Sequence, residues 1–304
     1  MDTTQRAGRL AVGIVGAGRV GSVLGAALIR AGHRVVAACG VSQFSVRLAE
    51  RHLPGVPLVA PDEVLRDADL VLLAVPDDAL PDLVAGLAET GQWRPGQLVA
   101  HVSGAHGLAV LEPATRHGAL PLALHPAMTF TGRPEDADRL SGICFGVTAP
   151  DPLRPVAEAL VVEMGGEPIW VAEEARPLYH AALAVGANHL ITLVAESADL
   201  LRRAGVDRPA LVLGPLLGAA LDNALRSGDA ALTGPVARGD ARTVEAHLST
   251  LRRVAPDSVA SYVALARLTA DRALAAGRLD AGQAEALLGV LASRSDGRSD
   301  GAWT

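Results

Sequence analysis

The sequence predicts an α/β fold, a doubly wound parallel sheet, followed by an all-helical C-terminal domain. Three observations predict it. The apolar run Val12-Gly-Ile-Val15 leads straight into Gly16-Ala-Gly18-Arg19-Val20-Gly21, short apolar runs then alternate with helical periodicity as far as Val171, and only helical patterning remains from Glu173 onward. The expected boundaries are 1–172 for the first domain, 173–292 for the helical domain, and 293–304 for a polar, glycine-rich disordered tail.

The glycine motif follows a strand and opens a helix, patterned through Val20, Leu24, Leu28 and Ala31. That context marks the N-terminal domain as a Rossmann dinucleotide-binding domain. Gly16 allows the turn off the strand, Gly18 leaves room for a pyrophosphate, and Gly21 lets the helix pack close to the sheet. With Val20 they form the start of a helix whose N-terminus faces phosphates, and Arg19 at the same helix start could also meet the adenosine end.

The alternation continues in order. Arg34 to Ala38 reads as the second strand, Ser45 to Arg51 as a helix, Val56 to Val59 as a third strand and Pro61 to Arg66 as a short helix. Asp69 to Val75 is the strongest buried-strand run, and Pro76 forces the chain out of the sheet. Val75 and Pro76 therefore stand at the edge where the cofactor is expected. Ala79 to Glu89 reads as a helix, Gln97 to Val102 as a strand, Leu108 to Glu112 as a short helix, and Pro121 to His125 as a strand. Ile143 to Val147, the helix Leu153 to Met164 and the strand Pro168 to Val171 complete the domain.

The helical half opens with Ala175 to Ala204, read as one long helix carrying an apolar stripe. Pro209 to Arg226 follows with a kink at Gly214-Pro215, then a loop from Ser227 to Gly239. Asp240 is placed to cap Ala241 to Val254, Pro256-Asp257-Ser258 to cap a helix ending at Ala276, and Ala281 to Leu291 is the last helix. The small-residue face Ala181, Ala182, Ala184, Ala187 and Ala195 suits either internal packing or a homodimer seam.

Composition narrows the function classes. The chain has 304 residues, is 50% hydrophobic and has a formal charge of −6, with no basic block or basic aromatic stripe. Nucleic acid is not an expected partner. No stretch is read as long and apolar enough to span a bilayer, and the polar segment Met1 to Arg9 lacks a signal-peptide core, so a soluble, cytoplasmic protein without membrane partners is expected. Cys39 and Cys144 lie in apolar strand-like contexts and are read as buried and reduced. The histidines make no tight ligand pattern, there is no CxxC, and no metal is expected.

An NAD-type site would place an acid about twenty residues past the glycine motif. Ala38-Cys-Gly-Val-Ser-Gln43 has none, while Ser42, Ser45 and Arg47 could donate to a 2′-phosphate, so NADP is the expected cofactor. Ser103 and His125 follow strand ends, and His180, Ala184 and Asn188 are spaced four apart, so His180 and Asn188 share a helix face with a small residue between them. His180 is the candidate proton donor, with Ser103, His125 and Asn188 orienting a small-molecule substrate. Tyr179 points about 100° away from His180 on a helix and is not expected to share its role. Thr233 and Arg238 could reach an anionic substrate, Arg238 gripping a carboxylate, or Arg238 could instead pair with Asp240.

These pieces also carry a resemblance. Gly16-Ala-Gly-Arg-Val-Gly21, Ala74-Val-Pro-Asp-Asp78, His101-Val-Ser-Gly104, His125-Pro126 with Phe130, Tyr179-His-Ala-Ala182 with Asn188, and Leu232 through Asp240 resemble the Rossmann-like and DUF2520 domain-containing proteins. These are relatives of the ketopantoate reductase, pyrroline-5-carboxylate reductase and prephenate dehydrogenase class. The resemblance implies an NADP-binding domain, a helical dimerisation domain and an oxidoreductase role. Gln43 stands where the family often has an arginine, and the helix that carries a lysine with an asparagine four residues later in related enzymes has no lysine here. Two function classes follow: an NADP-dependent reductase or dehydrogenase of a small carbonyl- or imine-bearing metabolite, such as a 2-keto acid, or a non-catalytic NADP-binding redox sensor.

Overall fold

The computed structural model describes residues 8–293. The expected disordered tail, beyond Ser293, and most of the polar segment Met1 to Arg9 lie outside the described residues. The chain divides into two compact units, the first ending at Asn188 and the second beginning at His189. The change from alternating elements to helices alone, expected near residue 172, occurs after the last strand at Trp170. The first unit therefore keeps the opening turns of the helical half.

The first unit begins β1 (Ala11–Val15), α1 (Arg19–Arg30), β2 (Arg34–Cys39), α2 (Gln43–His52), α3 (Pro61–Leu65), β3 (Leu70–Leu73) and α4 (Leu80–Glu89). It continues β4 (Leu98–His101), a 3-10 turn Leu108–Leu111, α5 (Glu112–Thr115), β5 (Leu120–Pro126), β6 (Cys144–Thr148), α6 (Arg154–Glu163), β7 (Glu167–Trp170) and α7 (Arg176–Ala184). One seven-stranded sheet forms in the order β2-β1-β3-β4-β5-β6-β7. The strands β1 to β5 are parallel along it, β6 runs antiparallel to β5, and β7 runs parallel to β6. The carboxyl ends of β1, β3, β4 and β5 thus share one edge, with the direction of winding reversing between β1 and β3.

Both faces of the sheet are covered, which is why its central strands are continuously apolar. Leu70 and Leu72 join the core with Val23, Leu24 and Leu28 of α1 and Leu160 of α6, whereas Val71 and Leu73 join Val64 of α3, Val84 of α4 and Ala114 of α5. His33 ties the two ends of the first core together. Its Nδ1 accepts from the Leu10 amide, and its Nε2 lies 2.8 Å from Glu163 Oε2 on α6.

Four sequence expectations are corrected here. Val56 to Val59 is not a strand but a single parallel bridge from Leu58 to Ala38, because Pro57 has no amide to donate. The long helix is interrupted: α7 passes through a π-helical turn, Val185–His189, before α8 (Leu190–Arg203). The helical run Glu173–Arg203 has an 18-residue window of mean hydropathy 1.4, so it is long and apolar enough to cross a membrane by length and composition. The charges that interrupt it, such as Arg176 and Glu196, lie towards its two ends, and none of that window is buried. Of the cysteines, Cys39 is buried but Cys144 only half-buried, and neither forms a disulfide.

The second unit contains α8, α9 (Pro209–Ser227), α10 (Gly234–Ala237), α11 (Ala241–Val254), α12 (Val259–Ala275) and α13 (Ala281–Ala292). Pro215 lies inside α9 without ending it, and the expected loop from Ser227 to Gly239 contains the 3-10 turn Gly228–Ala231 as well as α10. Asp240 caps α11 as its position suggests, accepting from the Thr243 amide at 3.0 Å. Val244, Leu248, Ala270 and Leu287 form the core of α10 to α13.

Candidate functional site

At the end of β1 the glycines divide their work. Gly16 has φ of +95°, and a Cβ there would lie 2.5 Å from the Ala74 carbonyl and 3.0 Å from Val75. A Cβ on Gly21 would lie 2.2 Å from the Gly16 carbonyl, so the helix sits as close to the turn as glycine permits. At Gly18 an added Cβ meets nothing within 4 Å. No side chain caps α1 at Gly18, leaving the amides of its first turn, Arg19 to Gly21, without intrahelical acceptors. The open space before these amides fits a dinucleotide pyrophosphate. Val75 and Pro76 follow β3 beside this turn, Val75 half-buried and Pro76 exposed.

Past β2, Ser42 is used in capping α2. Its Oγ accepts from the Ser45 amide at 3.0 Å, and Ser45 Oγ accepts in turn from the Ser42 amide. Arg47 is exposed on α2, and Arg19 lies over the Phe44 ring at 5.1 Å. The structure thus brings Arg19 to the start of α2.

A second group forms where α7 meets the carboxyl edge of the sheet. Arg176 has no exposed surface and donates to Thr148 Oγ1 at 2.9 Å and to the carbonyls of Ser103, Ala123 and Gly146 at 2.9, 3.1 and 2.8 Å. One guanidinium therefore joins β5, β6 and the turn after β4 to the start of α7. Burial pulls its pKa below the ordinary arginine value, with the Glu173 carboxylate acting the other way.

From that anchor α7 delivers Tyr179 and His180. The Tyr179 hydroxyl lies 3.0 Å from His125 Nδ1, with the rings edge to face at 5.6 Å. The His180 and His125 ring centroids are 6.3 Å apart, and His180 Nδ1 lies 4.0 Å from Asp77 Oδ2. Gly104 makes this convergence possible, because a Cβ there would stand 2.9 Å from His180 Cδ2 and 3.0 Å from His125 Nε2. Burial pushes the His125 pKa down to about 4, helped by the Arg176 and His180 charges and opposed by Asp77. The ring is therefore neutral near pH 7.

His125, Met128, His180, Ala184 and Asn188 line a cavity of ≈ 270 Å³ with Thr129 and Leu183. Three of the residues singled out from the sequence, His125, His180 and Asn188, thus meet around one space. Ser103 does not open onto it as a donor. Its Oγ accepts from the Ala105 and His106 amides at 3.2 and 3.1 Å, forming the turn that presents Gly104. His101 Nε2 lies 2.9 Å from the Gly107 carbonyl and His106 Nε2 2.9 Å from the Asp77 carbonyl. Arg238 belongs to the second unit, exposed at the end of α10; the Thr243 hydroxyl and amide hold the nearby Asp240 carboxyl below its usual range, with the Arg238 charge acting the same way.

Sequence reasoning missed Arg176 and set Tyr179 aside. An arginine before Pro177 at a helix start looks like a solvated residue, and nothing in its neighbours shows that four acceptors await it. Angular spacing set Tyr179 apart from His180, but the His125 ring meets both, its Nδ1 3.0 Å from the Tyr179 hydroxyl and its centroid 6.3 Å from that of His180. Asp77 was visible only as part of Ala74-Val-Pro-Asp-Asp78.

Residues 1–126 match the Rossmann-like domain, and residues 143–269 match a domain of unknown function, DUF2520. Solved structures of similar fold include a protein of Bacteroides fragilis provisionally named an NADP oxidoreductase, with a TM-score of 0.73 at 22% identity over 86% of this chain and 98% of that one. An imine reductase from Pseudomonas has a TM-score of 0.64 at 20% identity, covering 93% of this chain and 100% of that one. A pyrroline-5-carboxylate reductase from Coxiella burnetii has a TM-score of 0.53 at 16% identity, covering 88% and 98%. Identities this low establish a shared fold. The two matches lie in this order along the chain, which therefore joins a Rossmann-like domain to a DUF2520 domain.

Proposed function

We propose that this protein is an NADP-dependent oxidoreductase acting on a small carbonyl- or imine-bearing metabolite, such as a 2-keto acid. The observation that carries the reading is the cavity bounded by His125, His180 and Asn188 beside the carboxyl end of β5. The β1 and β3 ends that hold the open glycine turn belong to the same sheet edge. A bound reduced nicotinamide supplies hydride. The chain's own residues do the rest: the turn amides and Gly18 hold the pyrophosphate, and Ser42, Arg47 and Arg19 stand at the adenosine end.

His180 is the proton donor in this reading. Its Nδ1 faces Asp77 at 4.0 Å, forming an ion pair when the ring is protonated, and the ring also lines the cavity. Asn188 orients the substrate without changing charge. Ser103 contributes through its turn, and its carbonyl is one of the acceptors that fix Arg176. NADP is favoured over NAD because no carboxylate stands among Ala38 to Gln43 to repel a 2′-phosphate.

The protein acts as a homodimer through its helical half. Leu190 and Ile191 on α8 and Leu211, Leu216, Leu221 and Leu225 on α9 are exposed, Leu225 by 80%. Surface of this kind is covered in stable soluble assemblies. Calorimetric titration with NADPH and NADH, followed by NADPH oxidation against a panel of 2-keto acids, aldehydes and cyclic imines, tests the reading. NADPH binding with turnover of one class supports it; absence of NADPH binding refutes it.

A further inference from the structure

The hydroxyl of Tyr179 lies 3.0 Å from His125 Nδ1 and packs against Gly146, where an added Cβ would stand 2.6 Å from it. Of the two groups a phenol is the better donor and a neutral imidazole nitrogen the better acceptor, as their ordinary pKa values of about 10 and about 6.5 reflect. Nδ1 therefore accepts, and the proton of the neutral imidazole sits on Nε2. That nitrogen lies beside Gly104, and the ring itself lines the cavity, so a group bound against the free edge of His125 would meet an N–H and no lone pair.

A carbonyl oxygen accepts such a bond, and accepts it more strongly as negative charge develops there. An iminium nitrogen has a positive charge and no lone pair, and it would meet both the N–H and the field of buried Arg176. Resting on the oxidoreductase reading above, we infer that Tyr179 orients His125 as an Nε2–H donor and that this donor selects a carbonyl, not an iminium, as the reacting group. As hydride reaches the carbonyl carbon, the C=O π pair moves onto oxygen, which His125 Nε2–H holds and His180 protonates to the alcohol. His180 regains its proton from solvent. Tyr179 is a positioning residue acting through His125. The other charged or titratable groups acting on His125 are Arg176, His180 and Asp77.

Nitrogen-15 imidazole spectra of the full-length protein test the orientation directly. The expected result is Nδ1 unprotonated, Nε2 protonated, and no titration of His125 between about pH 5 and 8. Tyr179→Phe should mix the two tautomers while leaving the remaining histidine signals in place. A wild-type ring protonated at Nδ1, or cationic at about pH 6, overturns the inference whether or not the variant folds.

Selectivity is read on the protein saturated with NADP⁺, following the His125 Nε2 signal against cyclopentanone and the N-methyl-1-pyrrolinium cation. Cyclopentanone should bind at least about tenfold more tightly than the cation, and Tyr179→Phe should narrow that ratio. Equal or tighter binding of the cation overturns the inference. A parallel NADPH titration separates the two levels. NADPH binding with the wrong tautomer defeats only this inference, whereas loss of NADPH binding defeats the oxidoreductase reading and the carbonyl selection with it.

Discussion

Arg176 Nη1 donates to the Ser103 carbonyl at 2.9 Å, joining the first turn of α7 to the turn after β4 across 73 positions of sequence. With no surface exposed, the guanidinium has exchanged water for four protein acceptors. Arg176→Met should destabilise the protein by about 3–5 kcal/mol in urea unfolding, because the acceptors are left buried and unpaired. Arg176→Lys should recover only part of the loss, since an ammonium cannot reproduce the planar spread of the guanidinium.

The three glycines of the β1 turn should separate binding from folding. Gly18→Val should keep wild-type stability but weaken NADPH by at least about 100-fold in calorimetry, because its side chain fills open space facing the helix amides. Gly21→Ala should lower the melting temperature, because its Cβ would stand 2.2 Å from the Gly16 carbonyl. Normal NADPH affinity in Gly18→Val would remove the pyrophosphate assignment.

Once a substrate is in hand, His180→Gln should reduce kcat by about 10²–10⁴-fold with NADPH affinity retained. Asn188→Ala should raise KM as well as lower kcat, as expected of a residue that orients the substrate. Unchanged turnover in His180→Gln would end its role as proton donor.

Acid sensitivity should trace in part to Asp136. Burial pushes its carboxyl up, but the Thr131, Gly132 and Arg133 amides and the Thr131 hydroxyl outweigh burial and hold its pKa below the usual carboxylate range. A folded pKa below the unfolded value of about 3.9 gives stability that is present above that pH and lost as pH falls through the folded pKa. Asp136→Asn should therefore lower stability at neutral pH and flatten the acid limb of the stability curve. An acid limb identical to wild type would show that other carboxylates govern it.

The proposed dimer is checked by light scattering. Wild type should be dimeric at micromolar concentration, and Leu216→Glu, on the exposed side of α9, should shift it towards monomer without loss of helical signal. A monomeric wild type would leave the apolar surface of α8 and α9 to another occupant.

The sequence alone determined the glycine turn, its flanking strand and helix, the end of strand alternation near Trp170 and the Asp240 cap. Each rests on interactions among residues close in the chain: a positive φ at Gly16, a period of two or 3.6, an acid three residues before the amide it accepts from. It also placed His180 and Asn188 on one helix face, because helical spacing is local. Only the tertiary structure decided that Leu58 bridges rather than extends the sheet, that a π-turn carries Asn188, and that His125 meets Tyr179 across 54 positions. Arg176 shows the physical reason most clearly. Its burial depends on carbonyls from β5, β6 and the β4 turn converging in space, and no periodicity in one segment records where the unpaired acceptors of other segments will lie.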